Sequence, residues 1–181
     1  MKRCRWCNEK NPLYVTYHDE EWGRLCLEDS YLFEMLILES FQAGLSWECI
    51  LNKREAFRKA YDHFNIDKVC SYDEAKQEEL RNNPGIVRNR LKIKASIQNA
   101  IIFRNIQKEF GSFEAYLRTF WDGNILYEYD KTTNDLSDHI SLDLQKRGMK
   151  FVGSTIIYSF LGAIGIINSH LPECDLYRRN V

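Results

Sequence analysis

No apolar run in this chain reaches 18 residues, so the sequence offers nothing with the length and hydrophobicity of a membrane-crossing helix. A charged-then-apolar leader is missing as well, and the expectation is a soluble, cytoplasmic protein without a secretory signal. Surplus charge is lacking: 25 Lys and Arg stand against 26 Asp and Glu. That balance excludes a strongly basic coat for nucleic acid, though not a local basic patch. Proline (3) and glycine (9) are scarce, as a compact domain requires, and neither repeats nor low-complexity tracts occur. Apolar–polar alternation at period two is nearly absent, so no real sheet is expected. Cysteine is not scarce. Six cysteines in a chain read as intracellular point to thiols or metal ligands before disulfides.

A chain of 181 residues makes one domain, or two lobes sharing a core, and buries roughly 70% of its unfolded surface, so it needs no disulfides. The pattern is mostly helical. Asp29 or Ser30 can cap a helix running to about Ala43, and residues 46–62 make a second, with Lys53, Arg54, Arg58 and Lys59 along it. Ser71-Tyr72-Asp73-Glu74 reads as a capping box for a helix through Arg81, and Asn83-Pro84-Gly85 breaks the chain. A long helix is expected from about Val87 to Phe110, stopped by Gly111. Ser112 starts a short one, ended by Asp122-Gly123. Residues 124–135 read as polar and irregular. The last two helices run from about Ser137 to Gly148 and from Ser154 to about Ile164.

Glu39 stands out within this pattern. Leu32, Met35, Leu36, Glu39 and Ala43 share helical spacing, which puts a carboxylate on an apolar face. Burying it unpaired costs roughly several kcal/mol, comparable to a whole domain's margin. Either a protein donor satisfies it or a ligand does. Gly44 suits the left-handed position past the helix end, and Ser46 can cap a following helix with Trp47 in its first turn. A carboxylate and an aromatic side chain can then share one cleft.

Cys4 and His18 near the start, with His170 and Cys174 near the end, form a second constellation. Two thiols and two imidazoles suit tetrahedral zinc, although the split spacing matches no standard finger, and Cys7 of Cys4-Arg5-Trp6-Cys7 is a competing ligand. Without metal, these are buried thiols and surface histidines. The third feature is Lys146-Arg147-Gly148-Met149-Lys150-Phe151-Val152-Gly153-Ser154, a glycine-bounded turn before a helix start. Backbone N–H groups there, with Lys146 and Lys150, suit a phosphate backbone, although an ordinary helix connection has the same pattern. Pro84-Gly85-Ile86-Val87 is a weaker hairpin candidate, with Val87 at the second glycine position. Arg88, Arg90 and Lys92 then form a second basic surface, facing DNA or solvent.

Taken in order, Arg3-Cys4-x-Trp6, Tyr14, Tyr17-His18-Asp19, Glu21-Trp22-Gly23, Leu38-Glu39, Gln42-Ala43-Gly44-Leu45-Ser46-Trp47, Gly85-Ile86-Val87-Arg88, Lys146-Arg147-Gly148, Lys150-Phe151-Val152-Gly153, His170 and Cys174 closely resemble the 3-methyladenine DNA glycosylase I family over nearly the whole chain. The resemblance implies the all-α helix-hairpin-helix glycosylase fold, with residues 1–181 as a single domain of two lobes around a cleft. It implies a structural Zn2+ held by Cys4, His18, His170 and Cys174, which leaves Cys7 spare. Its partner would be double-stranded DNA carrying 3-methyladenine, bound by a monomer.

The implied reaction is hydrolytic excision of a flipped-out 3-methyladenine, leaving an abasic site. Tyr14, Tyr17 and Trp47 would wall the pocket, since aromatic faces attract a cationic base. Glu39 would accept from the adenine amino group and favour its charge. Lys146, Gly148, Lys150, Gly153 and Ser154 would hold DNA. Bifunctional relatives carry a lysine two residues past the hairpin's last glycine. Here Thr155 occupies that place, so no lyase activity is expected. The aspartate many relatives use some twenty residues later has no clear counterpart, and Glu173 lies between presumed metal ligands. Two other classes compete: a zinc-stabilised module that binds damaged DNA without catalysis, and a zinc hydrolase with a ligand position open to water.

Overall fold

A computed structural model describes residues 1–177. Ten α-helices carry the described chain: α1 Pro12–Glu20, α2 Asp29–Gln42, α3 Trp47–Leu51, α4 Arg54–Ala60, α5 Ile66–Cys70, α6 Glu74–Asn82, α7 Arg90–Phe110, α8 Phe113–Leu117, α9 Asp135–Lys146 and α10 Ser154–Ala163. No helix among the described residues is long and apolar enough to cross a membrane. The core forms where α2, α7 and α10 meet, with Phe33, Leu36, Ile37, Ile93, Phe103, Ile157, Phe160 and Leu161 inside it. Helix α2 is buried on nearly all sides, from Leu32 to Phe41, so Glu39 has no solvent-facing stripe to turn toward.

The expected sheet absence fails by one small pairing. Strand β1, Leu126–Tyr127, lies parallel to β2, Ile167–Asn168, and ties the irregular 124–134 segment to the chain after α10. Pairs this short carry no periodicity to read.

Several expected boundaries shift, each for a local reason. The single helix over 46–62 is three pieces: α3, α4 and a 3-10 turn at Asp62–Phe64, where Asp62, His63 and Phe64 all take positive φ. Asp73, not Ser71, caps α6 by accepting from the Lys76 N–H. Asn89 accepts from the N–H groups of Leu91 and Lys92, which starts α7 at Arg90 and not at Val87. Asn134 caps α9, so Ser137 is the third helical residue: its N–H donates to the Asn134 side chain and its hydroxyl accepts from the Asn134 N–H in a reciprocal box. Asp29 does not cap its own helix. Its carboxylate accepts from Phe113 N–H, Glu114 N–H and the Gln107 side chain, pinning the start of α8 to the start of α2. Helices α1 and α5 lie outside the expected pattern. Asn11-Pro12, a cap followed by a first-turn proline, is the available signal for α1.

One expectation about charge is also corrected. Lys92 is no part of an exposed basic surface with Arg88 and Arg90, because it is 7% exposed with its ammonium on main-chain carbonyls. Arg54 is buried as well, paired with Glu21 at 2.7 Å and Glu34 at 2.6 Å. The long apolar faces flanking both positions hide this from the sequence, where a basic residue in a helix reads as solvated.

Candidate functional site

Helix α1 places Tyr14, Tyr17 and His18 on one face by i, i+3, i+4 spacing. Tyr17 meets the C-terminal half of α2, where Glu39 sits, and Ser46 caps α3 so that Trp47 leads its first turn, as expected. Gly44, at φ 79°, makes the bend between α2 and α3. The result is a cavity of about 220 Å³, lined by Trp6, Tyr14, Tyr17, Trp22, Glu39, Gln42, Trp47 and Ser159.

Five of those eight residues are aromatic, so the walls are π-faces. Tyr17 lies 5.2 Å from Trp47 and 6.0 Å from Trp22, centroid to centroid, and Trp6 lies 5.6 Å from both Tyr14 and Trp22. Four buried polar atoms of residues lining this cavity have no partner among the described residues: Tyr17 OH, Trp22 Nε1, Trp47 Nε1 and Glu39 Oε2. Unsatisfied buried groups are rare in folded proteins. Three donors and one acceptor converging on one aromatic-walled space describe a recognition surface for a flat, polar-edged ligand. Burial pushes the Glu39 carboxyl up to about 8 and raises the Tyr17 phenol well above its ordinary value, with Glu39 adding to the latter. Among the described residues no Lys or Arg lines the cavity, and nearby Arg54 is committed to Glu21 and Glu34.

The four residues Cys4, His18, His170 and Cys174 also come together, with their ligand atoms all within 4.8 Å of one another and every residue buried. Cys4 Sγ lies 3.4 Å from His170 Nδ1, and Cys174 Sγ lies 3.6 Å from His18 Nε2 and 3.7 Å from His170 Nδ1. A tetrahedral ion with ligand bonds of roughly 2.0–2.3 Å needs donor separations of roughly 3.3–3.8 Å, so the set could hold one metal ion. The outer contacts suit ligation too. The second nitrogen of His18 lies 2.7 Å from Asp19 Oδ1, and that of His170 lies 3.1 Å from the Trp22 carbonyl. Burial works against the Asp19 charge, but hydrogen bonds from Arg3 and His18 outweigh it and hold that carboxyl below the usual range. Burial also draws His170 down to about 4, which keeps its ring a neutral ligand. Cys7 is not in the set; its thiol donates to the Tyr14 carbonyl at 3.7 Å.

The Cys/His cluster and the cavity share walls. Trp6 packs 5.1 Å from the His18 ring while lining the cavity, and Trp22 lines the cavity while its carbonyl holds His170. The sequence alone assigns no role to Trp6, Trp22, Gln42 or Ser159. Trp6, Trp22 and Gln42 stand within the motifs that carry the resemblance, but without a role of their own, and nothing marks Ser159.

Helices α9 and α10 pack against each other across the 147–153 connection. Gly148 takes φ 101° just past α9, and Gly153 precedes α10, whose start has no side-chain cap. Lys146 and Lys150 are exposed there. The Ser154 hydroxyl is engaged internally with Ser137, at 2.9 Å, and with Asp138.

Residues 6–178 match the methyladenine glycosylase family. The chain belongs to that family. DNA-3-methyladenine glycosylase 1 of Escherichia coli strain K12 is 39% identical over 186 residues, covering 99% of both chains. A crystal structure of 3-methyladenine DNA glycosylase I superposes with a TM-score of 0.93 at 38% identity, covering 97% of this chain and all of that one. The Staphylococcus aureus glycosylase, solved to explain 3-methyladenine recognition, superposes at 0.92 with 33% identity, covering 99% of this chain and 98% of its own. The methyladenine glycosylase fold therefore accounts for the helical architecture seen here.

Proposed function

We propose that this chain is a monofunctional DNA glycosylase. It takes a flipped-out 3-methyladenine from alkylated duplex DNA into the 220 Å³ cavity and hydrolyses its N-glycosyl bond, leaving an abasic site. The observation that carries this reading is the gathering of Tyr17 OH, Trp22 Nε1, Trp47 Nε1 and Glu39 Oε2, all without partners among the described residues, around one aromatic-walled space. The relatives named 3-methyladenine glycosylases support the same substrate.

N3-alkylated adenine in DNA carries positive charge and its glycosyl bond is already weakened, so recognition does more than acid catalysis. Tyr14, Tyr17 and Trp47 supply faces that attract a cation, worth about 2 kcal/mol or more when desolvated. Glu39, the only carboxylate lining the cavity among the described residues, accepts from the base's amino group. A cation beside it favours its charged form, opposing the burial that lifts it to about 8. Neutral adenine gains less from either contact, and discrimination follows from the difference.

We read the metal as a structural zinc. Two thiols and two imidazoles are its usual donor set, and four protein ligands leave no position for a reacting water, which argues against the hydrolase alternative. Zinc there would tie the segment around Cys4 to that around Cys174 and set the backs of Trp6 and Trp22. The DNA grip is assigned to Lys146, Gly148, Lys150, Gly153 and Ser154; with the Ser154 hydroxyl engaged internally, that residue contributes its backbone N–H. Thr155, exposed at the first turn of α10, offers no amine for a Schiff base, so strand cleavage is not part of the reaction. The chain acts as one domain, with the cavity between two helical lobes.

The deciding experiment is base release. Purified protein is incubated with methylated duplex DNA and the freed bases are resolved chromatographically. Free 3-methyladenine with uncleaved abasic strands is the expected result. Binding of alkylated DNA without release would instead establish a damage-sensing module.

A further inference from the structure

Lys92 is a buried ammonium at the start of α7, and its partners are main-chain oxygens, not carboxylates. Its Nζ donates to the Phe41 carbonyl at 2.8 Å and the Ala43 carbonyl at 2.5 Å. These lie at the C-terminal end of α2, where carbonyls lack helical partners and a cation is favoured. The same ammonium faces the ring of Phe151, 5.9 Å from its centroid, in the α9–α10 connection, where Phe151 itself takes φ 56°. Seven residues along the same face of α7, buried Asn99 clasps the neighbouring backbone: its amide donates to the Lys150 carbonyl and its oxygen accepts from the Lys150 N–H, both at 2.9 Å. One face of α7 therefore holds the end of the Glu39 helix and the glycine-bounded hairpin together.

An apolar residue at 92 would avoid desolvating a charge, and burial does pull the Lys92 amine below its ordinary value. Core packing alone gives no reason for an ammonium here. Its two acceptors are the reason, since they flank Gln42, a residue lining the cavity three positions after Glu39.

We propose that Lys92 is a positioning residue that registers the end of α2, and with it Glu39 and Gln42, against the hairpin that grips DNA. It touches neither base nor phosphate. The inference rests on the reading of the cavity as a base pocket and of the hairpin as the DNA grip. The cavity has independent support from α1, α3 and the Arg54 ion pairs, so loss of Lys92 leaves base affinity in place. What it removes is the match between a base in the cavity and a duplex on the hairpin, and a displacement of about 1 Å can cost about a hundredfold in rate.

The test compares wild type, Lys92→Met and Lys92→Arg in two assays. One is single-turnover excision from methylated duplex DNA; the other is binding of free 3-methyladenine, read by tryptophan fluorescence from the cavity walls. Lys92→Met is expected to lower the excision rate about tenfold or more while the free-base Kd stays within about threefold, and Lys92→Arg to recover most of the rate. Unchanged excision in Lys92→Met overturns the proposal. So does a parallel fall of excision and base binding that tracks a lowered Tm, which would mark a merely structural lysine. If Lys92→Met does not fold, Lys92→Gln, which keeps an amide donor, is read by the same criteria. A wild-type chain that binds free base but excises nothing refutes the glycosylase reading itself, and is recognised without any variant.

Discussion

Gly162 lies directly under the indole of Trp22: a Cβ at position 162 would sit 2.6 Å from Cη2 and 3.0 Å from Cζ2 of that ring. No real side chain tolerates such an approach, so the absence of a side chain on α10 sets how far Trp22 can withdraw from the cavity it lines. Gly162→Ala is therefore expected to push the indole into the cavity. In helical propensity alone, alanine would stabilise by about 1 kcal/mol. Overpacking in a filled core costs about 1–3 kcal/mol, and with Trp22 already wedged against Tyr17 and Trp6 the larger cost should win. The expected outcome is a lower Tm together with weaker binding of free 3-methyladenine, measured by fluorescence titration. A variant more stable than its parent with unaltered base affinity would remove Trp22 from the wall of the pocket.

Metal removal should act through the fold and not through the chemistry. Cys4, His18, His170 and Cys174 are all buried, and an ion shared among them would join residues 4 and 18 to residues 170 and 174. Metal analysis of purified protein is expected to find one zinc per chain. On chelation, activity should decay at the rate at which zinc leaves and the terminal segments loosen, in step with loss of thermal stability. Cys174→Ser should lower zinc content and Tm together, whereas Cys7→Ser, whose thiol faces the Tyr14 carbonyl, should leave zinc content unchanged. Instant loss of excision with the fold intact would mean that the ion is catalytic.

Lys146 at the end of α9 and Lys150 within the hairpin are exposed, so variants there test the proposed DNA grip apart from base binding. Removing one phosphate-neutralising lysine should reduce the slope of log affinity against log salt by about 1. The double variant Lys146→Ala, Lys150→Ala is expected to bind duplex DNA more weakly at every sequence, with a slope shallower by about 2, and to bind free 3-methyladenine normally. An unchanged salt slope would place the grip elsewhere.

The sequence made the site legible wherever a residue broke a local pattern. A carboxylate on an apolar helix face led to Glu39, and glycines bounding a basic turn led to the hairpin between α9 and α10. Cys4, His18, His170 and Cys174 could be grouped because they lie near the two ends of the chain, with His170 and Cys174 four apart, but only folding could exclude Cys7. What stayed hidden depends on residues far apart in the chain. Lys92 reads as a solvated cation until α2 ends against it, and Asp29 reads as a cap for its own helix until α8 arrives to use it. Ser159 and Gln42 reach the cavity only because of how α10 and α2 pack. The break of residues 46–62 into α3, α4 and a left-handed turn at His63 has no marker in residue types, since neither glycine nor proline interrupts it.

Glu39→Gln should separate stability from function. Burial lifts the folded carboxyl from about 4.5 to about 8. Between those values the native chain keeps a proton that the unfolded chain has released, so the carboxyl erodes stability as pH rises through that window. At about 1.4 kcal/mol per pKa unit, the full penalty above pH 8 is on the order of 3–5 kcal/mol, and it vanishes near pH 4.5. Glutamine does not titrate. Glu39→Gln is therefore expected to melt higher than the parent at pH 8 and at about the same temperature at pH 4.5. Excision should move the other way. The amide keeps an acceptor oxygen for the base's amino group but has no charge to set against the cation, so 3-methyladenine release should fall by roughly tenfold to a hundredfold, with discrimination against neutral adenine narrowed. Paired melts and single-turnover excision across pH 5–9 check both halves. Excision and selectivity equal to the parent's would take Glu39 out of the chemistry. A Tm difference independent of pH would mean that the buried carboxyl carries its charge at no cost, through a partner inside the fold.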